Sequence, residues 1–136
     1  VFFSCSSLKS IKNDPFVGKY EMTVFDVDQV GDVPAILTIT KDKNLYTSTV
    51  NYKILNEEEI LNVLSTYPLD SSTLLIESLI DNNQVDFELN FDNSSFTGTA
   101  GGYYDLEGKK IEWFNQFLRN FNHYLEALYN DKKSYT

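Results

Sequence analysis

Strict alternation of apolar and polar residues constrains the fold of this chain most, and it is cleanest over four apolar positions. Val85, Phe87, Leu89 and Phe91 alternate there with acidic and amide residues. A period of two places the apolar side chains on one face of a β-strand. Similar short runs recur along the chain and are separated by turn-forming residues. The pattern therefore predicts an all-β, antiparallel fold.

Eight such runs are predicted to be strands. Two of them, with the turn between them, are predicted to form a hairpin over residues 94–113. Its turn is predicted at 105–108 (DLEG), and Gly101 and Gly102 are predicted to mark a bulge or sharp coil within a strand. The predicted strands lie near 17–26, 35–40, 45–52, 73–80, 85–91, 96–104, 109–117 and 123–129.

One short helix is predicted between the third and fourth strands, within residues 54–68. Asn56 and Glu59 have the spacing of a capping pair, and the apolar residues that follow recur at helical intervals until Pro68. Eight strands and one inserted helix suit a small up-and-down barrel.

The segment from 113 to 129 supports two interpretations. Its apolar residues fit the spacing of an amphipathic helix, and they also alternate in two short runs around a turn near Asn120. Two strands are the favoured interpretation, and a C-terminal helix is the alternative.

Length and charge narrow the class of protein. The chain has 136 residues, enough for one domain, which we place at 16–130 with a tail at 131–136. A net charge of −9 disfavours nucleic acid and anionic membrane surfaces as partners. No apolar run is long enough for a transmembrane helix.

Cys5 is the single cysteine, so no internal disulfide is expected. The residues around it, VFFSCSS, resemble a bacterial lipobox, in which the cysteine becomes the lipidated N-terminus; the alternative is a free or buried thiol. On the lipidation hypothesis, residues 1–15 are the end of a signal peptide followed by a flexible linker. The protein would then be anchored to the outer membrane of the cell envelope through its lipid alone, periplasmic or surface-exposed.

A resemblance to lipocalin-like (calycin-type) barrels starts at Gly18-Lys19-Tyr20, where that family has a Gly-x-Trp motif. Residues 14–20, 96–98 and 110–113 are also similar to small lipocalin-like lipoproteins exported by Gram-negative gut bacteria. The resemblance implies a ligand cavity, and it implies that Arg119 packs over Tyr20.

No motif points to an enzyme. His123 is the only histidine and has no nucleophile motif beside it. Asp26, Asp28 and Gly31 imitate the start of a calcium loop, but Val30 occupies a position that needs an oxygen ligand. No metal or cofactor is predicted.

The favoured hypothesis is a monomeric, non-enzymatic envelope lipoprotein that binds a small apolar ligand in its barrel. A protein-interaction module with a packed interior, which uses loops 26–34 and 54–68, is the alternative. The same apolar side chains could instead form an ordinary core. The candidate cavity residues are Tyr20, Met22, Val24, Phe87, Leu89, Trp113 and Phe117.

Overall fold

The computed structural model describes residues 14–134, and the side chains within that range except those of 113–119, 133 and 134. The lipidation of Cys5 and most of the predicted linker lie outside the described residues. The elements are β1 (Gly18–Val27), β2 (Gly31–Asp42), β3 (Leu45–Ile54), β4 (Glu57–Ile60), β5 (Asn62–Pro68), β6 (Thr73–Ile80), β7 (Asn83–Asp92), β8 (Ser95–Ala100), β9 (Tyr104–Lys110) and α1 (Glu112–Ser134).

The described strands form one antiparallel sheet in the order β4-β3-β2-β1-β9-β8-β7-β6-β5. Strands that are adjacent in sequence pair with each other, except β4 and β5, and β1 pairs in addition with β9. The sheet curls into a nearly closed barrel. The predicted all-β, antiparallel up-and-down barrel is therefore confirmed.

The two ends of the sheet meet through β4 and β5, which act as one kinked strand and close most of the gap in the barrel. β4 and β5 are separated by a single residue, Leu61, yet β4 pairs with β3 at one end of the sheet and β5 pairs with β6 at the other. The Leu61 amide donates to the Val50 carbonyl at 2.9 Å, and the hydroxyls of Ser48 and Thr66 hydrogen-bond across the seam. If β4 and β5 are counted as one strand, the barrel has eight strands, the smallest usual number for an up-and-down barrel.

The inserted helix predicted at residues 54–68 is wrong, because that segment forms β4 and β5. Asn56, predicted to cap the helix, lies in the 55–56 turn with φ of 67°. Successive side chains of this segment alternate between the two faces of the sheet, with Leu61 buried and Ile60 73% exposed. β4 pairs with β3 and β5 pairs with β6, and a helix at this position would leave those two strand edges unpaired.

The helix of this protein is C-terminal. Residues 113–129 lie in α1, so the favoured two-strand interpretation of this segment is wrong and the helical alternative is confirmed. β9 already pairs with both β1 and β8, and the kinked strand already pairs with β3 and β6. The barrel therefore leaves almost no free edge for two further strands.

The predicted hairpin exists, but its turn lies at residues 101–103 and not at 105–108. Gly101 and Gly102 have φ of 64° and 69°, and the Tyr103 amide donates to the Ala100 carbonyl at 3.2 Å, which defines a type I′ turn. The DLEG sequence lies within β9, where a Cβ at Gly108 would come within 2.0 Å of the Phe96 ring. The absence of a side chain at Gly108 therefore allows the Phe96 ring to pack directly against β9.

The two ends of the barrel differ. We call the end that carries the turns at 43–44, 69–72 and 93–94 the closed end, because an aromatic cluster of Phe16, Tyr20, Phe91 and Phe96 fills it, with ring centroids 5.0–5.5 Å apart for the touching pairs. The opposite end, which we call the open end, carries the turns at 28–30, 55–56, 81–82 and 101–103.

Candidate ligand cavity at the open end

An apolar cavity of about 280 Å³ occupies the open half of the barrel. Fourteen side chains line it; twelve are aliphatic, Met or Phe, and the other two are Tyr52 and Tyr104. A cavity with such a lining offers a ligand the burial of apolar surface as the main driving force for binding.

The choice of inward-facing residues explains why the cavity lies at this end. Ala35, Ala100 and five valines line the open half, where the closed half has Phe and Tyr. An eight-stranded barrel is just wide enough to be filled by large side chains, so small side chains leave space inside. In β1, β2 and β8 the sequence carries this signal, because the inward-facing side chains become smaller toward the open end.

The predicted cavity residues divide into three groups. Met22, Val24 and Phe87 line the cavity. Tyr20 and Leu89 are fully buried in the core but do not line it. The remaining predicted positions are 113 and 117, which lie in α1, and their side chains are outside the described part of the chain.

Two tyrosines lie at the mouth, and neither is among the seven candidate cavity residues of the sequence analysis. Tyr52 and Tyr104 are half-buried and line the cavity next to the open-end turns. Burial raises the pKa of Tyr52, and the negative charges of Glu59 and Asp81 raise it further. A hydrogen bond with the side chain of Asp28 raises the pKa of Tyr104. Both hydroxyls are therefore neutral near pH 7, and each lies close to carboxylates.

Asp14 secures the closed end, although the sequence analysis placed it in the linker. Its side chain is 4% exposed; Oδ1 accepts from the amides of Phe16 and Val17, and Oδ2 accepts from the Tyr46 hydroxyl at 2.6 Å and lies 3.4 Å from Lys41 Nζ. Burial alone would raise the pKa of Asp14, but these hydrogen bonds outweigh it and lower the pKa. The Asp-Pro sequence at residues 14–15 is a recognisable signal for an Asx-turn, in which the Asp side chain accepts from the amide two residues later. The contact of Asp14 with Tyr46 is visible only in the folded structure.

Replacing Asp14 by Asn is expected to lower the free energy of unfolding by about 1–2 kcal/mol at pH 7, because the ionised acceptor is lost from a buried network. The folded pKa of Asp14 lies below its unfolded value, so its contribution is present above the unfolded pKa, ~3.9, and disappears as the pH falls through the folded pKa. Urea unfolding of both proteins at pH 7 and pH 2–3 measures the difference. Asp42→Asn, at an exposed carboxylate of the same end, is the control. A difference between D14N and the native protein that is equal at both pH values would contradict this account.

The other residues considered for chemistry lie on α1 and around the turn between β1 and β2. His123 is exposed on α1, with Nδ1 3.8 Å from the Glu126 carboxylate. Asp26 lies near the end of β1 and Asp28 lies in the turn that follows. Within residues 14–134, no group of three or more His, Cys, Asp or Glu is placed to hold a metal ion. Among the described residues, no helix combines the length and the apolarity that crossing a membrane requires.

The fold is therefore a nearly closed antiparallel barrel with an apolar cavity at one end. Neither the protein-family models, nor the curated proteins, nor the solved structures contain a match to this chain.

Proposed function

We propose that this chain is a lipocalin-like, non-enzymatic binding protein that holds a small apolar ligand in the open-end cavity. The observation that carries the proposal is the apolar cavity of about 280 Å³ inside the barrel. Closely packed protein interiors rarely contain voids much larger than a water molecule. A space of this size therefore supports a binding site over imperfect packing of the core.

The size of the cavity limits the ligand. A cavity of about 150 Å³ accepts benzene, so this one accommodates an apolar group of about ten carbon atoms. Ligands of that size bind with up to about 0.6–0.8 kcal/mol per atom, which corresponds to a Kd on the order of 1–100 µM.

Titration with 1-aminonaphthalene, a neutral ten-carbon aromatic probe, tests the proposal. We expect saturable binding at one site per chain with a Kd in that range, observed as increased probe fluorescence. The absence of saturation up to the probe's solubility limit would contradict the proposal. Native mass spectrometry of protein purified from its own cells would then identify any ligand that co-purifies.

The lipid anchor belongs to the same proposal. An acylated Cys5 would hold the barrel at the outer membrane of the cell envelope, on a linker that ends where Asp14 joins the closed end. The mass of the N-terminal peptide from native cells, with or without acyl chains on Cys5, tests it directly.

A second candidate function is protein interaction, which a different observation supports. Large apolar and aromatic side chains at helical spacing on α1 are about half to two-thirds exposed, and Ile60 and Leu64 on the outer face of the kinked strand are 73% and 53% exposed. Those described on α1 are Phe121, Tyr124, Leu125, Leu128 and Tyr129. The cavity makes ligand binding the better supported of the two functions.

A further inference from the structure

The charges around the mouth of the cavity distinguish between classes of apolar ligand. On the antiparallel pair β3·β4, Tyr52 lies opposite Glu59 and Ile54 lies opposite Glu57. Residues that lie directly opposite each other on paired strands share one face of the sheet. Because Tyr52 and Ile54 line the cavity, Glu57 and Glu59 lie on the inner face of the barrel, at its rim.

Two more carboxylates belong to the same rim. Asp81 lies in the 81–82 turn directly after Ile80, which lines the cavity. The amide of Asp28 donates to the Tyr104 hydroxyl at 3.5 Å, and its side chain is hydrogen-bonded to that hydroxyl. We call Asp28, Glu57, Glu59 and Asp81 the mouth carboxylates. All four are solvent-exposed, and each carries one formal negative charge.

Basic residues do not balance these charges. In the strands and turns of the described barrel, the basic residue nearest to the mouth is Lys53, which lies opposite Glu58 on the outer face of the sheet. The other barrel lysines lie toward the closed end: Lys19, Lys41, Lys43, Lys109 and Lys110. A ligand that enters the cavity therefore passes a negative field, which lowers the local concentration of anions and raises that of cations.

The side chains of the mouth also offer contacts to a positive charge. Tyrosine rings attract ammonium groups through their faces, and both half-buried tyrosines of the cavity lie beside mouth carboxylates. Among the side chains that the structure describes, no lysine or arginine lines the cavity to neutralise a carboxylate head group. A fatty-acid anion would thus meet repulsion and no partner.

We propose that the cavity binds a cationic amphiphile, whose apolar group of about ten carbons fills the barrel interior and whose ammonium group lies at the mouth between Tyr52, Tyr104 and the mouth carboxylates. This inference rests on the proposed ligand-binding function and specifies the charge of its ligand.

Calorimetric titration with three ligands that are each built on an eight-carbon chain and carry different head groups tests the proposal: octyltrimethylammonium, octanol and octanoate. We expect the cation to bind at least about tenfold more tightly than octanoate, with octanol between them, and the preference to shrink at 0.5 M salt because screening shortens the range of the field.

Two matched variants locate the effect. Glu57→Gln/Glu59→Gln removes two inner-face charges, whereas Glu58→Gln/Asp105→Asn removes two outer-face charges near the same end. We expect the first variant to reduce the cation preference to about threefold or less, because the nearest charges are lost, and the second to leave it nearly unchanged, because a charge screened over about 8 Å acts mainly on close neighbours.

The outcomes separate this inference from the proposed function. Equal or tighter binding of octanoate, or equal losses in the two variants, would overturn the cationic ligand while octanol and 1-aminonaphthalene still bind. Failure of all three ligands and of 1-aminonaphthalene would overturn both.

Discussion

Replacing Gly98 by Ala is expected to lower the free energy of unfolding by about 3–5 kcal/mol, the largest effect of any single methyl group that we anticipate in this protein. A Cβ at position 98 would lie 1.8 Å from the carbonyl oxygen of Glu88 and 3.2 Å from Cα of Leu89. Both contacts are with backbone, so no side-chain rotation relieves them, and β7 and β8 must separate. Urea unfolding of the two proteins, followed by circular dichroism, measures the loss.

Thr97→Ala is the matched control, because Thr97 is exposed on the same strand and its truncation removes only two heavy atoms. We expect it to cost less than about 1 kcal/mol. If G98A and T97A were equally stable, the close approach of β7 to β8 at this position would be refuted.

Replacing Ala100 by Leu is expected to weaken binding of 1-aminonaphthalene at least about tenfold, a loss of about 1.4 kcal/mol. Ala100 is buried and lines the cavity beside Phe87 and Tyr104, its partners on the neighbouring strands. The three added carbon atoms would occupy about a quarter of the cavity, by comparison with benzene in about 150 Å³. The added apolar contacts should leave the melting temperature unchanged or slightly raised.

The same fluorescence titration, together with thermal unfolding, separates a filled cavity from a damaged fold. Ala35→Leu, also in the lining, is a second route if A100L perturbs its own strand. Thr97→Leu, which places the same leucine side chain on the outer face of β8, is the control. Retention of full probe affinity by both folded lining variants would show that the probe binds elsewhere.

The alternation of residues predicted most of the barrel correctly because each strand keeps one face in the core. Val85, Phe87, Leu89 and Phe91 lie on one face of β7, with three of them buried, as their spacing predicted. The same reasoning located three of the seven candidate cavity residues, Met22, Val24 and Phe87. Tyr20 and Leu89 have the same pattern, so periodicity could not tell a residue in the filled half from one beside the cavity.

The errors lie where local patterns support more than one structure. Asn56 and Glu59 have capping spacing, yet pairing with β3 and β6 outweighs a short helix. Residues 105–108 contain turn-forming types, yet Gly101 and Gly102 provide the two consecutive positive φ angles that a type I′ turn needs. In the first case pairing between distant strands determined the structure, and in the second the backbone freedom of two adjacent glycines did.

The amino-acid sequence by itself determined that this chain is an antiparallel β protein, because the period of two is a local property that any strand with one buried face must have. The tertiary structure alone decided that β4 and β5 close the barrel, that α1 remains outside the sheet, and that Asp14 joins Tyr46. It also decided where the cavity lies and which carboxylates surround its mouth. These features depend on contacts between residues that are far apart in the sequence. The register of the paired strands determines those contacts, and a local sequence pattern does not contain that information.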